Sequence, residues 1–301
     1  MEGICHPVLL GNPDRLRPMA TRLKLDLTGI ELIDMRADQE QGRRATYAKH
    51  LAEKRARDGY TFQEAYDKMY ERNYFGMMMV ETGDADAFIT GLYTKYSNTI
   101  KVAKEVIGIR EENSTFGTMH IINSPKGVLY LADTLVNGDP NTDDLVDIAK
   151  LASRTVKFFN ETPNIALISY SNFGSDTAPG SLKVKNAVKR VQDEMPELCI
   201  DGEMQIGYAL NRELRDQKYP FSKLVGKDVN TLVFPNLTSA RSAYKLLQML
   251  SNDVEIIGPV QMGLNKPIHF TDSESSVRDI VNITAIATID AYVEKIKQGK
   301  K

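Results

Sequence analysis

Short apolar runs alternate with longer amphipathic segments along most of the chain, and this pattern predicts an α/β protein with largely parallel sheets. The runs that predict strands lie at 7–11, 30–34, 85–90, 119–123, 128–133, 165–170, 198–201, 231–235 and 256–260. The segments that predict helices lie at 38–58, from Thr61 through Tyr70, and at 142–160, 179–194, 238–250 and 275–298.

The last predicted helix, 275–298, has an unusual apolar pattern. Its apolar residues recur in steps of three or four, and steps of three drift around a helix axis, so the middle of this helix should be apolar on most sides and buried. A turn-rich break at Asn137-Gly138-Asp139-Pro140 interrupts the middle of the chain. The pattern as a whole favours two α/β domains with a cleft between them.

The composition restricts the class of protein. The chain has 301 residues, of which 42% are hydrophobic and 26% charged, as in soluble globular proteins. A net charge of −2 argues against a general nucleic-acid binder, and no apolar run approaches the length that spans a bilayer. Cys5 and Cys199 are too few for a disulfide framework. The first residues lack the basic segment of a secretory signal, so we expect a cytoplasmic protein.

Several common active-site motifs are missing from the sequence. There is no G-x-G-x-x-G after a strand, no P-loop, no H-E-x-x-H, no C-x-x-C and no G-x-S-x-G. A complete dehydrogenase is therefore not expected, and Cys199 has no obvious basic partner that would make it a nucleophile. The histidines are too scattered to predict a metal site: His6, His50, His120 and His269.

The first candidate site is the small-residue segment 168–175, which follows a predicted strand and contains Ser171, Asn172 and Ser175. Serine hydroxyls and backbone N–H groups at the carboxyl end of a strand can hold a phosphate or pyrophosphate. The alternative is a polar loop with ordinary capping serines, and the sequence leaves both open.

Two further segments are candidates at strand ends. Asp201 and Glu203 would point to the same face of an extended segment, where they could orient a base or a lysine, or could be solvated edge charges. Asn236 precedes a helix on which Arg241 and Lys245 share one face, either as a phosphate clamp or as a solvated basic surface.

The last candidate segment, 258–267, is rich in glycine and proline and returns toward the first block of the chain. It contains Gly263 and Lys266, and its glycines have the alternative role of permitting a tight path.

Taken together, these segments resemble the phosphate acetyltransferase and phosphate butyryltransferase family. The matching segments are Ser169-Tyr170-Ser171-Asn172-Phe173-Gly174-Ser175, Asp201-Gly202-Glu203-Met204-Gln205, Phe234-Pro235-Asn236-Leu237, Ala243-Tyr244-Lys245-Leu246 and 258–267. The resemblance implies two three-layer α/β domains with a coenzyme A cleft between them and a C-terminal helix that returns to the first domain. We expect residues 1–143 and 265–301 in the first domain and 144–264 in the second.

The chain departs from the active members at the acyl-transfer residues. Active members of the family that this chain resembles have the sequence Asp-Leu-Ser-Arg-Gly before the last helix. By spacing, Asp272 of this chain replaces that serine and Ser273 replaces that arginine. Asp279 keeps an aspartate of the family. An arginine expected in the first domain is replaced by Lys101. Arginine offers phosphate a bidentate fork that lysine and serine lack, and the loss of one such donor costs about 100- to 1000-fold in rate.

These departures are similar to those in the C-terminal region of bacterial NADP-dependent malic enzymes. Segments that resemble this region include 73–78, 95–99, 266–269 and 275–280. The resemblance implies an acetyl-CoA-binding regulatory domain, inactive in acyl transfer, that forms a homodimer through its second domain and a larger oligomer with a malic dehydrogenase half. That half, with its NADP and divalent metal, is not contained in these residues.

The alternative is an active phosphate acetyltransferase in which Asp279 activates the thiol of coenzyme A and Lys101 stabilises the leaving phosphate. For either function no tightly bound cofactor, nucleic acid or membrane is expected. The residues that the resemblance and the loops together assign to acetyl-CoA are Ser171, Asn172, Ser175, Asn236, Lys245, Gly263, Lys266, Asp272, Ser273, Ser275 and Ser276.

Overall fold

The computed structural model describes residues 3–91, 95–251, 253–271, 274–297 and 299. The chain divides into two compact units, the first formed by Met1–Gly108 with Leu264–Lys301 and the second by Ile109–Gly263. Mixed helices and sheets confirm the predicted α/β class.

The strands and helices follow one another in the alternating order that the sequence predicts. The strands are β1 (Val8–Leu10), β2 (Glu31–Ile33), β3 (Phe88–Thr90), β4 (Gly117–Ser124), β5 (Gly127–Ala132), β6 (Asn164–Ile168), β7 (Cys199–Met204), β8 (Thr231–Val233), β9 (Glu255–Met262) and β10 (Ile268–Phe270). The α-helices are α1 (Pro13–Arg22), α2 (Gln41–Lys54), α3 (Phe62–Lys68), α4 (Arg72–Thr82), α5 (Tyr96–Val106), α6 (Thr142–Phe158), α7 (Pro179–Glu194), α8 (Ile206–Leu210), α9 (Arg212–Lys218), α10 (Leu237–Leu250) and α11 (Val277–Lys297).

In the first unit, two parallel strand pairs are surrounded by helices. β1 pairs with β2, and β3 pairs with β10 from the far end of the sequence. Asn12 caps α1 by accepting a hydrogen bond from the Asp14 backbone N–H at 2.8 Å. α4 lies within the core, and its Met77-Met78-Met79 run is buried.

The second unit is built on one six-stranded sheet with the order β7-β6-β8-β5-β4-β9. β5, β6, β7 and β8 are parallel, while β4 is antiparallel to both of its neighbours, β5 and β9. The carboxyl ends of β5, β6, β7, β8 and β9 therefore lie along the same edge of the sheet, which we call the carboxyl edge.

Both faces of this sheet are covered, which gives the second unit three layers. α6 and α7 pack against each other on one face. Because side chains alternate between the two faces of a strand, residues two apart share a face. The other face carries α8 and α10, and its buried cluster consists of Ile122, Leu131, Ala166, Ile168, Met204, Ala209, Leu224, Leu232, Phe234, Ala240 and Tyr244.

The division between the units differs from the predicted boundary at residue 143. β5 hydrogen bonds with β8, and β4 pairs with β9, so residues 117–132 belong to the sheet of the second unit. The chain passes between the units at Gly108–Ile109 and again at Gly263–Leu264. Hydrogen bonds from Asn265 N to Gly108 O (3.2 Å) and from Arg110 N to Gly263 O (3.0 Å) lie beside these two connections.

Some elements were missed or merged by the sequence pattern. The segments predicted from the sequence do not include the helices α1, α4, α5, α8 and α9 or the strand β10. The helix predicted from Thr61 through Tyr70 ends at Lys68. The predicted helix 38–58 is α2 flanked by two short 3₁₀ turns. α11 buries Ile283 and Ile286, but its Ile289 is 52% exposed, so the middle of this helix is less enclosed than predicted.

A β-bulge interrupts the pairing of β6 with β7. Leu167 pairs with Gly202 and Ile168 pairs with Met204, so that Glu203 is the extra residue. Gly202 has a φ of +144°, and a Cβ at this position would lie 2.6 Å from the Leu167 carbonyl oxygen. Only glycine therefore allows the two strands to approach this closely.

None of the helices in the described part of the chain combines the length and the apolar character that a bilayer crossing requires.

We expect Gly202→Ala to lower the free energy of unfolding by at least about 2 kcal/mol, because the new methyl group meets backbone in a left-handed conformation. Urea denaturation measures the change. Gly207→Ala, in α8 with no atom within 4 Å of the added Cβ, is the matched control and should be neutral or stabilising by up to about 1 kcal/mol. Equal stability of the two variants would contradict this account of the bulge.

Candidate ligand site at the carboxyl edge of the second unit

The topology of the sheet places a candidate ligand crevice at the carboxyl edge, where β6 and β8 lie side by side. The connection that leaves β6 leads to α7 on one face, and the connection that leaves β8 leads to α10 on the other. Neighbouring parallel strands whose connections diverge in this way form a topological switch point, where ligands bind in open α/β sheets. The candidate segments 169–175 and 234–236 flank this point.

The Asp133 carboxylate organises the neighbouring loop after β5. It is 3% exposed, and its Oδ1 accepts hydrogen bonds from the Thr118 backbone N–H and hydroxyl, both at 2.9 Å. It also accepts hydrogen bonds from the backbone N–H groups of Leu135, Val136 and Asn137. A carboxylate with this many donors fixes the course of the loop after β5.

The loop after β5 is joined to both helices that flank the switch point. Gly138 O accepts a hydrogen bond from Leu237 N at the start of α10 (3.1 Å). Lys183 of α7 donates to Asp139 Oδ1 (2.5 Å) and to Pro140 O (2.9 Å). The loop after β5 is therefore joined by hydrogen bonds to both α7 and α10, the helices that follow β6 and β8.

Ser171, Asn172 and Ser175 are brought together in one turn after β6. The Ser171 hydroxyl is buried, 2.9 Å from Ser181 Oγ. Asn172 N donates to Ser175 Oγ at 2.9 Å, and Asn172 Oδ1 accepts from Gln205 N at 2.9 Å. The three side chains that the sequence proposed for a ligand thus contribute substantially to the turn's own structure.

Glu203, the bulge residue, lies against this turn. It is fully buried, and its Oε1 accepts a hydrogen bond from Gly174 N at 2.5 Å. Asp201 has different neighbours, because its Oδ2 accepts from Ser222 Oγ (2.7 Å) and Lys223 N (2.8 Å). The expectation that these two carboxylates act together assumed a regular strand, and the bulge assigns them to separate contacts.

The other predicted residues of this unit have structural contacts of their own. Asn236 caps α10 by accepting from Ser239 N at 2.9 Å. Gly263 has a φ of +97° and lies against Leu151 at the end of β9. Lys245 lies about 12 Å along the α10 axis from the first helical residue, with its Nζ 3.1 Å from Gln248 Oε1, so α10 carries it away from the carboxyl edge.

In the first unit, the two predicted catalytic residues have partners close by in sequence. Asp279 and Ser276 form a capping box at the start of α11: Ser276 N donates to Asp279 Oδ2 at 2.7 Å, and Asp279 N donates to Ser276 Oγ at 3.2 Å. Lys101 is exposed on α5, 3.7 Å from Glu105 Oε1.

The remaining predicted residues of the first unit lie between β9 and α11. Lys266 is half-buried just before β10, and Ser275 is half-buried before α11. Asp272 and Ser273 lie outside the described residues.

His120 is a buried histidine that links β4 to α10. Its ring stacks on Tyr244 with centroids 4.3 Å apart, and its Nδ1 lies 2.9 Å from Thr134 Oγ1. Burial, with smaller contributions from the positive charges of Lys245 and Arg241, lowers the pKa of His120 to about 3. His120 is therefore neutral near pH 7 and supports the helix that carries those two cations.

Cys199 has a basic neighbour that its sequence does not indicate. Lys227 Nζ lies 3.2 Å from the Cys199 sulfur, although the two residues are far apart in the sequence. The thiol is half-buried at the edge of the sheet rather than enclosed in it. Within the described ranges, no three side chains of His, Cys, Asp or Glu assemble into a metal-binding group.

Comparisons with known proteins agree with this architecture. The family model for phosphate acetyl/butaryl transferase matches residues 1–288. A phosphotransacetylase from Streptococcus pyogenes superposes with a TM-score of 0.86 at 30% identity, covering 97% of this chain and 88% of that one. The structure therefore has a phosphotransacetylase fold.

Sequence relatives fall into two groups. The NADP-dependent malic enzyme of Escherichia coli is 35% identical over 295 residues, which is 98% of this chain and 39% of the enzyme. The phosphate acetyltransferase of Clostridium acetobutylicum is 31% identical over 297 residues, covering 96% of this chain and 88% of that enzyme. The chain belongs to the phosphate acetyl/butyryl transferase family, and it spans about two fifths of the malic enzymes that it matches.

We expect His120 to make stability depend on pH. Between about pH 6.5 and pH 3 the unfolded chain protonates this histidine and the folded chain does not, so its contribution lowers the free energy of unfolding as the pH falls, by up to about 1.4 kcal/mol per pH unit. Urea denaturation should show that the free energy of unfolding falls less between pH 7 and pH 5 in His120→Phe than in the unaltered chain. This variant keeps a ring against Tyr244. The exposed His6→Phe is the control, and an unchanged loss in His120→Phe would contradict the prediction.

Proposed function

We propose that the chain is an acetyl-CoA-binding regulatory domain of the phosphotransacetylase type that does not carry out useful acyl transfer. The observation that carries this proposal is that the chain belongs to the family but lacks its acyl-transfer residues. Asp272 and Ser273 occupy the positions of a serine and an arginine in the active members, and Lys101 occupies the position of a second arginine.

The chemistry of these replacements supports binding without catalysis. Asp272 adds a negative charge where an anionic acyl phosphate would bind, while the bidentate arginine forks are lost. Two contacts in the structure also argue against acyl transfer. Glu105 lies beside Lys101, and the Asp279 carboxylate caps a helix. A group already used as a cap is a poor candidate for activating a thiol.

Ligand binding in this proposal keeps the polar and cationic residues that the family resemblance assigns to acetyl-CoA. The lysines would supply positive charge for the phosphates of acetyl-CoA, and the polar loop residues would supply hydrogen bonds. The proposed set is Ser171, Asn172, Ser175, Asn236, Lys245, Gly263, Lys266, Asp272, Ser273, Ser275, Ser276 and, as a further cation, Lys101.

The partner in this proposal is a malic dehydrogenase region of the kind that the name of the E. coli relative indicates. The match with that enzyme covers almost all of this chain. Ser275 and Ser276 directly precede α11, so a ligand bound at these residues would act on that helix. NADP and a divalent metal would belong to the dehydrogenase region alone.

The second candidate function is an active phosphate acetyltransferase. Similarity to the C. acetobutylicum enzyme, across 88% of that enzyme's length, favours it. In that case a coenzyme A thiolate would attack acetyl phosphate, with Asp279 assisting deprotonation of the thiol and Lys101 stabilising the phosphate that leaves. The replaced residues make this the weaker candidate.

We expect the purified chain to bind acetyl-CoA in calorimetry and to form no measurable thioester from acetyl phosphate and coenzyme A. The charge reversals Lys245→Glu and Lys266→Glu should each weaken acetyl-CoA binding by at least about tenfold. Lys126→Glu, on the turn between β4 and β5, is the control and should leave binding unchanged.

Asp272→Ser combined with Ser273→Arg and Lys101→Arg should raise thioester formation. Clear turnover by the unaltered chain would establish the acetyltransferase instead, and failure to bind acetyl-CoA would exclude the sensor.

We further propose the cytoplasm as its compartment and a homodimer as its assembly. Cys5 and Cys199 are free thiols, as in reducing compartments. The dimer surface that we propose lies on the second unit beside the edge strand β7, where α8, α9 and the loop that follows them expose apolar side chains. These are Ile206, Leu210, Leu214, Phe221 and Val225.

Sedimentation velocity should show a dimer for the unaltered chain and a monomer for Leu210→Glu combined with Phe221→Glu, because a buried charge opposes association of apolar surfaces. Leu250→Glu is the matched control, since Leu250 is also exposed and apolar but lies on α10. A dimer that persists in the double variant would contradict the proposed surface.

A further inference from the structure

Cys199 and Lys227 bring two nucleophilic side chains together at the edge of the second unit. The Lys227 Nζ lies 3.2 Å from the Cys199 Sγ, which also lies 3.5 Å from the Lys223 carbonyl oxygen. Cys199 is the first residue of the edge strand β7, and its thiol is half-buried, while Lys227 is exposed. Solvent therefore reaches this pair, and a small oxidant can approach the sulfur.

The backbone holds both side chains in place. Cys199 pairs with Asn164 in the ladder between β6 and β7. The Lys227 carbonyl oxygen accepts a hydrogen bond from Arg215 Nη2 at 2.6 Å, and the Lys227 N–H donates to Leu224 O at 3.0 Å. Because the Arg215 side chain is fully buried, the loop that ends at Lys227 is anchored to the interior of the unit. Two reactive groups held in contact react much faster than the same groups free in solution.

The surroundings of Cys199 are those of a reactive cysteine. Such cysteines are partly exposed and lie beside positive charge, and Cys199 has both features. The acidic residue next to Lys227 has another cation as its partner, since Asp228 lies 3.2 Å from Arg212. The alternative, a lysine that only donates a hydrogen bond to the thiol, has the same geometry and differs in its chemistry toward an oxidant.

We propose that Cys199 and Lys227 form a reversible covalent link when the chain meets a peroxide. The Cys199 thiolate first attacks one oxygen of hydrogen peroxide, the O–O bond breaks, and a sulfenic acid and water result. The unprotonated Lys227 amine then attacks the sulfur, the S–O bond breaks, and a second water leaves with a proton from the nitrogen. The product is a sulfenamide: the sulfur has lost two electrons to the peroxide, and the chain has lost two hydrogen atoms. Two equivalents of thiol reduce the S–N bond and restore both side chains.

The link joins the start of β7 to the end of the loop that follows α9, across 28 positions of the sequence. Closing a loop restricts the unfolded chain and so stabilises the folded second unit. The inference goes beyond the proposed function and is independent of it, because the reaction requires neither acetyl-CoA nor a dehydrogenase region.

The test is intact-mass spectrometry of the full Cys5→Ser chain after treatment with hydrogen peroxide. Cys199 is the only cysteine of this variant, so no internal disulfide can form, and a loss of about 2 Da identifies a bond from the sulfur to another side chain. We expect this loss, its reversal by dithiothreitol, and no tryptic cleavage after Lys227 while the link is present. Oxidation without a link adds about 16 or 32 Da instead.

Two lysine variants in the Cys5→Ser background locate the nitrogen. Lys227→Arg keeps the positive charge but removes the amine, so we expect only products that gain oxygen. Lys223→Arg, in the same loop, is the matched control and should still lose about 2 Da. A loss of 2 Da that persists in Lys227→Arg would overturn the assignment of Lys227. Mass gains alone, or no reaction at all, in the chain that retains both lysines would overturn the link.

Discussion

The hydrogen bonds of the Asp133 carboxylate are the interaction on which the carboxyl edge of the second unit depends. One oxygen joins the end of β5 to Thr118 on β4, and the carboxylate as a whole holds the backbone of 135–137. The next residues of the loop then connect to α10 and α7. A charge enclosed by its own donors is satisfied internally, so it serves as a rigid anchor, and our proposal assigns ligand recognition to the neighbouring turns.

The same distinction between anchoring and recognition applies to the residues after β6. Serines and asparagine at a strand end suggest a ligand when read in the sequence, yet Ser171, Asn172 and Ser175 hydrogen bond within the turn. These side chains therefore stabilise the turn itself.

The sequence predicted best those elements whose local pattern agrees with their environment. α6 and α7 have capping residues, or proline at the first helical position, and regular apolar spacing, and both were located within two residues of their ends. α8 and α9 are short, and an exposed leucine on each obscures the helical pattern. β10 has only three residues, and its pairing with β3 depends on contacts that no local pattern contains.

The candidate site was predictable in position and less so in detail. Small and polar residues after two predicted strands indicated segments 169–175 and 234–236, and the structure brings both to the carboxyl edge because parallel strands share it. The separate contacts of Asp201 and Glu203 could not be predicted, since a one-residue bulge changes where a side chain lies. The Lys227 neighbour of Cys199 was likewise invisible, because tertiary folding alone brings residues 28 positions apart together.

The return of the last segment to the first unit has a consequence for the order in which the chain folds on the ribosome. The second unit is continuous in sequence and can fold as soon as it has emerged. β3 must wait for β10, whose first residue pairs with Phe88 across 180 positions (268 − 88). Of the two units, the one whose synthesis begins first is therefore completed last, and a nascent chain that stops before β10 leaves β3 without this partner and available to other chains.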